Sequence, residues 1–160
     1  MNYSIIIYIL GWILEFTGVL MVIPGITAVI YRERSGFAFL ITILVSVAIG
    51  LFITRKKPKN TVFHIKEAFV TTSLSWILLS IAGAVPFVIS RSIPHPIDAL
   101  FETVSGFTTT GASILPEVEP LSHCMLIWRS FTHWIGGMGV LVFLLCLLPL
   151  TGGYNMTLMK

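Results

Sequence analysis

Long apolar runs alternate with short polar segments along the whole chain. The first run covers residues 5–31, and the second covers residues 37–53. A third run spans about residues 68–89, and a fourth extends from about residue 121 to residue 150. Because about 20 apolar residues carry a helix across the hydrocarbon core of a bilayer, each run predicts a transmembrane helix. The pattern therefore predicts an all-α membrane protein.

Two residues interrupt the apolar character of the first run. Pro24 lacks a backbone N–H donor, so we expect a kink near the far end of this helix. Glu15 places a carboxylate inside a predicted span, where an ionisable side chain is costly unless it has a partner. We expect a structural hydrogen-bond partner for Glu15, with a place in an ion path as the alternative.

The segment over residues 90–120 is too polar and too short for another complete crossing. It contains a moderately apolar stretch over residues 97–107, and Pro96 stands where a helix begins. Asp98 falls in the first turn, where the helix dipole favours an anion. A helix over these residues extends about 16 Å, which is half of a membrane. The sequence thus predicts a half-length helix between the third and fourth spans.

A polar stretch over residues 108–113 follows this half-helix, and it shows no apolar periodicity. Pro116 and Pro120 then mark an extended return. Irregular backbone at membrane depth persists only where it is buried in protein or lines a wet cavity. A half-helix followed by such a segment predicts a re-entrant pore loop, although an ordinary surface loop rich in threonine is the alternative.

The distribution of basic residues predicts the orientation in the membrane. The connection over residues 54–67 carries five of them: Arg55, Lys56, Lys57, Lys59 and Lys66. The opposite side holds three: Arg32, Arg34 and Arg91. Cytoplasmic loops carry an excess of lysine and arginine. We therefore expect this basic loop and both termini to lie in the cytoplasm.

Composition agrees with the membrane interpretation and excludes several other classes of protein. The chain is 56% hydrophobic and 11% charged, with a mean hydropathy of +0.94, whereas soluble domains carry about 25% charged residues. The net charge of +3 does not indicate nucleic-acid binding, because the densest basic cluster lies between two spans. Cys124 and Cys146 match no metal or redox spacing. No catalytic set of side chains is present, so neither an enzyme nor a cofactor is expected.

The threonine-rich segment suits the binding of a dehydrated potassium ion. Backbone carbonyls replace the water of the ion without adding a fixed charge. Glycine lets the backbone aim successive carbonyls at one point, and the half-helix directs the negative end of its dipole toward the same place. Thr109 and Thr110 are the best candidate ligands through their carbonyl oxygens. Gly111 supplies conformational freedom and a third carbonyl.

Three parts of the chain together resemble the Trk/Ktr/HKT potassium transporter superfamily. Residues 101–113 (FETVSGFTTTGAS) are similar to its first pore loop, and residues 128–140 (WRSFTHWIGGMGV) to the helix that follows that loop. Residues 22–25 (VIPG) and 31–32 (YR) resemble the bacterial TrkH type, which carries two extra helices before its first repeat. The resemblance covers nearly the whole chain.

The resemblance implies four helix–loop–helix repeats around one pseudo-fourfold pore, each with a filter segment centred on a glycine. By position, Thr109, Thr110 and Gly111 fall in the first filter segment. The rest of the loop supports them: Thr108, Ala112 and Ser113. It also implies potassium as the transported ion, the bacterial inner membrane as the location, and a homodimer with a cytoplasmic nucleotide-binding regulatory subunit.

Two further residues are expected to support the pore loop. Glu102 lies within the half-helix, where we expect it to hold that helix rather than to bind potassium directly. Arg129 has two interpretations: an interfacial anchor together with Trp128 and Trp134, or a brace that pairs with an acidic residue. The candidate partners for the brace are Glu102, Glu117 and Glu119.

The predicted organisation places a single pore-loop repeat after two leading helices. Four segments are expected: leading transmembrane helices over residues 1–53, the basic loop over residues 54–67, the repeat over residues 68–150, and a truncated cytoplasmic end over residues 151–160. One loop does not encircle an ion, so we expect the N-terminal fragment of a potassium uptake protein that needs three further repeats. The alternatives are a subunit of a homotetrameric channel and a non-conducting membrane scaffold.

Overall fold

A computed structural model describes residues 2–58 and 65–147, and within these ranges the chain contains helices and turns but no β-strand. Six helices follow one another: α1 (Tyr3–Leu20), α2 (Val22–Ile30), α3 (Gly36–Thr54), α4 (Ile65–Ile89), α5 (Pro96–Phe107) and α6 (His123–Leu147). The all-α architecture predicted from the apolar runs is confirmed.

The first predicted span is broken into two helices. α1 ends at Leu20, Met21 forms a turn, and α2 begins at Val22. Pro24 is the cause, because it has no N–H to donate to the carbonyl of Leu20 and its ring crowds that carbonyl. The ladder resumes at Gly25, whose N–H donates to Met21 at 3.2 Å. The kink expected from Pro24 therefore lies at Met21, one turn earlier.

Small residues bring α1 and α3 into close contact. A Cβ atom added to Gly50 of α3 would lie 2.5 Å from the Cγ atom of Glu15, and one added to Gly18 of α1 would lie 2.9 Å from Val47. Glu15 is held at this contact, where the hydroxyl of Thr54 donates to its Oε1 atom over 2.7 Å. The hydrogen-bond partner expected for Glu15 is confirmed.

Three helical stretches in the described residues are long and apolar enough to cross a membrane: Tyr3–Ile30, Gly36–Thr54 and Lys66–Ile89. α6 has 25 residues and extends over about 38 Å. The predicted fourth span, residues 121–150, ends outside the described residues and stays a prediction. The connection predicted over residues 54–67 is shorter than expected, because Thr54 ends α3 and Ile65–Glu67 form the first turn of α4. Lys59 and residues 151–160 lie outside the described residues.

The half-length helix α5 packs against both α4 and α6, while α1 and α3 contact α4 and α2 contacts α6. The largest side chain in the core is Trp128 of α6, which is fully buried and donates its indole N–H to the carbonyl of Gly83 over 3.0 Å. Trp128 therefore does not help Arg129 to anchor α6 at the membrane interface, as one interpretation of Arg129 supposed. Its indole N–H finds a carbonyl inside the protein, whereas Trp134 is exposed.

The turn between α2 and α3 is tied to the start of α6 by Glu33. Its carboxylate accepts hydrogen bonds from the backbone N–H groups of His123 at 2.7 Å and Cys124 at 3.0 Å. Burial raises the pKa of Glu33. The N–H of Cys124 and the other donors at this helix end lower it by more, so that the pKa falls to about 2. A charged carboxylate thus satisfies orphan donors of α6 and joins the turn between α2 and α3 to α6.

Candidate functional site

The helix α5 presents its C-terminal end to the threonine-rich loop. Pro96 occupies its first turn and Asp98 lies beside it, both at positions that favour a helix start. Its 12 residues extend about 18 Å. Thr103 fixes α5 to α4, since its buried hydroxyl lies 2.9 Å from the carbonyl of Ser80. The negative end of the α5 dipole is thereby held at residue 107, next to the loop.

The chain leaves α5 through a Schellman turn. The N–H of Thr109 donates to Gly106 at 3.0 Å, and the N–H of Thr110 donates to Ser105 at 3.0 Å. This pair of bonds closes the end of the helix and requires a left-handed residue at its centre. That residue is Thr109, with φ of +57°. The backbone thus turns away from the helix direction at the first predicted ligand.

Two residues of the loop have backbone angles that most side chains resist. Thr109 is β-branched, and the left-handed conformation costs an L-residue about 1–2 kcal/mol. Gly111 has φ of +77°, and a Cβ atom added there would meet nothing within 4 Å. Gly111 is therefore required by its backbone angle and not by lack of space. Strain of this kind is typical of functional sites.

The carbonyl groups over residues 104–112 fall into two sets according to whether they accept a hydrogen bond within the protein. Five accept hydrogen bonds within the protein: those of Val104, Ser105, Gly106, Thr108 and Ala112. The carbonyls of Thr109, Thr110 and Gly111 accept none from the described part of the chain, and these residues are exposed. The carbonyl of Phe107 also lacks a donor, but it lies against Gly136. Three successive acceptors are therefore available at the end of α5.

A buried carboxylate holds the return of the loop against α6. Glu102 is 2% exposed, and its Oε1 atom lies 2.5 Å from the Nε atom of Arg129. Its Oε2 atom accepts from the hydroxyl of Ser113 at 3.0 Å and from the N–H of Ile114 at 3.0 Å. The carboxylate therefore joins α5, the loop and α6, and its charge is matched by Arg129 instead of facing the open acceptors.

Comparison with known proteins identifies the family. A family model described as TrkH, cation transport protein, matches residues 35–160, which is more than half of the chain. The chain belongs to the TrkH family.

Relatives in the TrkH family align along nearly all of this chain. The Trk system potassium uptake protein TrkH of Escherichia coli strain K12 is 38% identical, covering 100% of this chain and 34% of that protein. An uncharacterized cation transporter of Methanocaldococcus jannaschii is also 38% identical, covering 92% of this chain and 31% of that protein. The crystal structure of the potassium transporter TrkH from Vibrio parahaemolyticus matches with a TM-score of 0.86 at 33% identity, covering 98% of this chain and 34% of that one. The chain spans about a third of the length of these relatives.

The eight residues singled out in the sequence gather in one region of this TrkH-family chain. Those of the loop follow α5 directly, and Glu102 and Arg129 meet behind the loop. Of the two interpretations of Arg129, the brace agrees with the structure, and Glu102 is its partner rather than Glu117 or Glu119. Sequence reasoning missed the bond from the Ser105 hydroxyl to the carbonyl of Ala112. A seven-residue spacing across an irregular loop carries no recognisable signal.

Proposed function

We propose that this chain supplies the first of four pore-loop repeats of a Trk-type potassium uptake protein. In this function the carbonyl oxygens of Thr109, Thr110 and Gly111 line one side of the ion path. The observation that carries it is the row of three successive carbonyls without donors at the C-terminal end of α5. The remaining residues of the loop, Thr108, Ala112 and Ser113, hold that row in position.

The electrostatics of the loop favour a dehydrated monovalent cation. Residues 108–113 contain no charged side chain, so the ion meets carbonyl dipoles and the negative end of the α5 dipole. The charge of Glu102 is already matched by Arg129. A cation held by dipoles is bound weakly enough to move on, and a translocation path requires that weak binding.

A single repeat supplies oxygens on one side of an ion, so the proposed filter needs three more segments. We place them in the remainder of a full-length protein, because this chain corresponds to about a third of its TrkH relatives. The resemblance to the family implies that the full-length protein forms a homodimer and binds a cytoplasmic nucleotide-binding regulatory subunit. It also adds the bacterial inner membrane as the location, with both termini in the cytoplasm. The proposed activity is ion transport, not catalysis.

Gly111 provides the test of this function. The chain is placed in a chimera, in which it replaces the aligned part of TrkH of Escherichia coli. Gly111→Ser forces a residue with a side chain to adopt φ of +77°, so we expect the preference for potassium over sodium to fall at least about fivefold. The measurement is uptake of the two ions at matched amounts of protein in the membrane.

Gly25→Ser is the matched control for this substitution. Gly25 also has no atom within 4 Å of an added Cβ, but its backbone is helical and far from the loop in sequence. We expect the control to retain the preference of the unchanged chimera. A Gly111→Ser chimera that keeps the same preference at normal protein levels contradicts a filter role for this loop.

A further inference from the structure

The helix α6 meets the end of α5 with no side chain between the two backbones. A Cβ atom added to Gly136 would overlap the carbonyl oxygen of Phe107 and lie 2.7 Å from its carbonyl carbon. Thr132 lies one turn before Gly136 on α6. A Cβ atom added to Gly106 of α5 would overlap the hydroxyl of Thr132 and lie 3.0 Å from the Cβ atom of Thr132. The backbone of Phe107 has no freedom to rotate away, and the Cβ atom of Thr132 is fixed to the backbone of α6. Neither contact therefore tolerates a shorter distance between the helices.

Phe107 is held from its other side as well. Its ring packs against α4, where a Cβ atom on Gly83 would lie 2.9 Å from the ring and the ring centroid of Trp76 lies 6.5 Å away. Trp76 in turn touches α6, since a Cβ atom on Gly139 would lie 2.8 Å from its Cη2 atom. The last residue of α5 is therefore clamped between α4 and α6.

Three contacts of α6 with α5 lie on one face of α6. Arg129, Thr132 and Gly136 are spaced at i, i+3 and i+7, which places them in one row along the helix. Arg129 reaches Glu102, which holds Ser113 at the far end of the loop. Gly136 meets Phe107 at the near end. The positions of both ends of residues 108–113 are thus fixed by contacts with the same face of α6.

We infer that Thr132 and Gly136 are positioning residues that set the location of the three open carbonyls and, with it, the discrimination between monovalent cations. This role rests on the proposed function and deepens it, because neither residue touches the ion. Thr108 follows Phe107 directly in the chain, so a displacement of Phe107 by α6 is passed to Thr109 and Gly111 without a flexible residue between. Discrimination between cations of similar charge depends on where and how firmly the carbonyls are held.

Two adjacent glycines make a matched pair for the test. Gly136→Ala puts a methyl group into the backbone of Phe107, whereas Gly137→Ala meets only the Cγ2 atom of Thr109 at 3.9 Å, an ordinary contact. Both substitutions change the same helix in the same way otherwise. In the chimera, we expect Gly136→Ala to lower the preference for potassium over sodium at least about fivefold and Gly137→Ala to change it less than about twofold.

A second pair tests the same role without the backbone clash at Phe107. Gly106→Ala overlaps the Thr132 hydroxyl, and we expect it to lower the preference in the same direction. The double variant Gly106→Ala, Thr132→Ala removes that hydroxyl, so we expect it to recover at least part of the loss. This pair tests the positioning role even if Gly136→Ala does not reach the membrane in normal amounts.

Different results would count against the positioning role and against the proposed function. An unchanged chimera that takes up no potassium counts against the proposed function. With a working unchanged chimera, equal ion preferences for Gly136→Ala and Gly137→Ala at equal protein levels overturn the positioning role. The same holds if Gly106→Ala leaves the preference unchanged, or if the double variant recovers none of the loss.

Discussion

Arg129 and Glu102 form an ion pair across the α5–α6 contact, with 2.5 Å between the Nε and Oε1 atoms. The two side chains are unequally exposed: Arg129 retains 22% of its side-chain surface, and Glu102 retains 1%. The carboxylate therefore depends on its partners much more than the guanidinium does. Loss of Arg129 leaves a buried negative charge with only the donors from Ser113 and Ile114.

We expect Arg129→Gln to destabilise the folded protein by about 3 kcal/mol, because removal of one partner strands a buried charge. The measurement is the thermal unfolding of purified protein in detergent. The double variant Arg129→Gln, Glu102→Gln is expected to be more stable than Arg129→Gln alone, since no charge is stranded. Arg34→Gln is the control, because Arg34 makes no ion pair with the described residues. Equal stability of Arg129→Gln and Arg34→Gln contradicts the brace.

The left-handed conformation of Thr109 predicts opposite effects on stability and on ion preference. Glycine adopts φ of +57° at little cost, so we expect Thr109→Gly to stabilise the fold by up to about 1 kcal/mol. The same freedom loosens the first open carbonyl, so the preference for potassium over sodium is expected to fall. Thr108 has φ of −86°, and Thr108→Gly is expected to lower stability instead. A Thr109→Gly protein less stable than the parent opposes this interpretation.

Glu33 predicts a dependence of stability on pH. The pKa of its carboxylate is lowered from 4.5 to about 2 in the folded protein. A lowered carboxyl pKa contributes stability that is fully present above pH 4.5 and is lost as the pH falls toward 2. In thermal unfolding, we expect Glu33→Gln to be less stable than the parent at neutral pH by about 1 kcal/mol. The difference should shrink as the pH falls below 4.5. A difference that is constant across this range excludes the titration of Glu33 as its origin.

The orientation in the membrane is open to direct labelling. The excess of basic residues in the connection between α3 and α4 predicts that position 57 lies in the cytoplasm and position 117 outside. In a chimera without native cysteines, a membrane-impermeant thiol reagent added from outside should label Glu117→Cys and leave Lys57→Cys unlabelled. Labelling of position 57 alone reverses the orientation.

Apolar run lengths predicted most of the fold, because a bilayer demands about 20 apolar residues per helix whatever their identity. The half-length of α5 was also predictable from the sequence, since Pro96 marks its start and the polar residues after Phe107 mark its end. Pairings between residues distant in the chain were harder to predict from the sequence. Glu102, Glu117 and Glu119 are equivalent partners for Arg129 in the sequence, and only the packing of α5 on α6 separates them.

Two features of the candidate site run against local sequence preference. A threonine occupies the left-handed position that glycine usually takes at a helix end, so Thr109 gives no sign of its backbone angle. Trp128 beside Arg129 fits an interfacial belt, yet the carbonyl of Gly83 offers its indole a buried acceptor. At Trp128 a tertiary contact outweighs the preference of the residue, and at Thr109 the hydrogen bonds that close the end of α5 do so.

Growth of a potassium-uptake-deficient cell at low potassium tests most directly whether this chain contributes one filter segment of four. The unchanged chimera is expected to restore growth, and Gly111→Asp in the chimera is expected to abolish it by placing a carboxylate among the carbonyls. The chain of residues 1–160 expressed alone is expected not to restore growth, because one segment leaves the ion open on its other sides. Growth restored by the chain alone, and lost with Gly111→Asp, would contradict the one-repeat account and indicate a self-assembling channel.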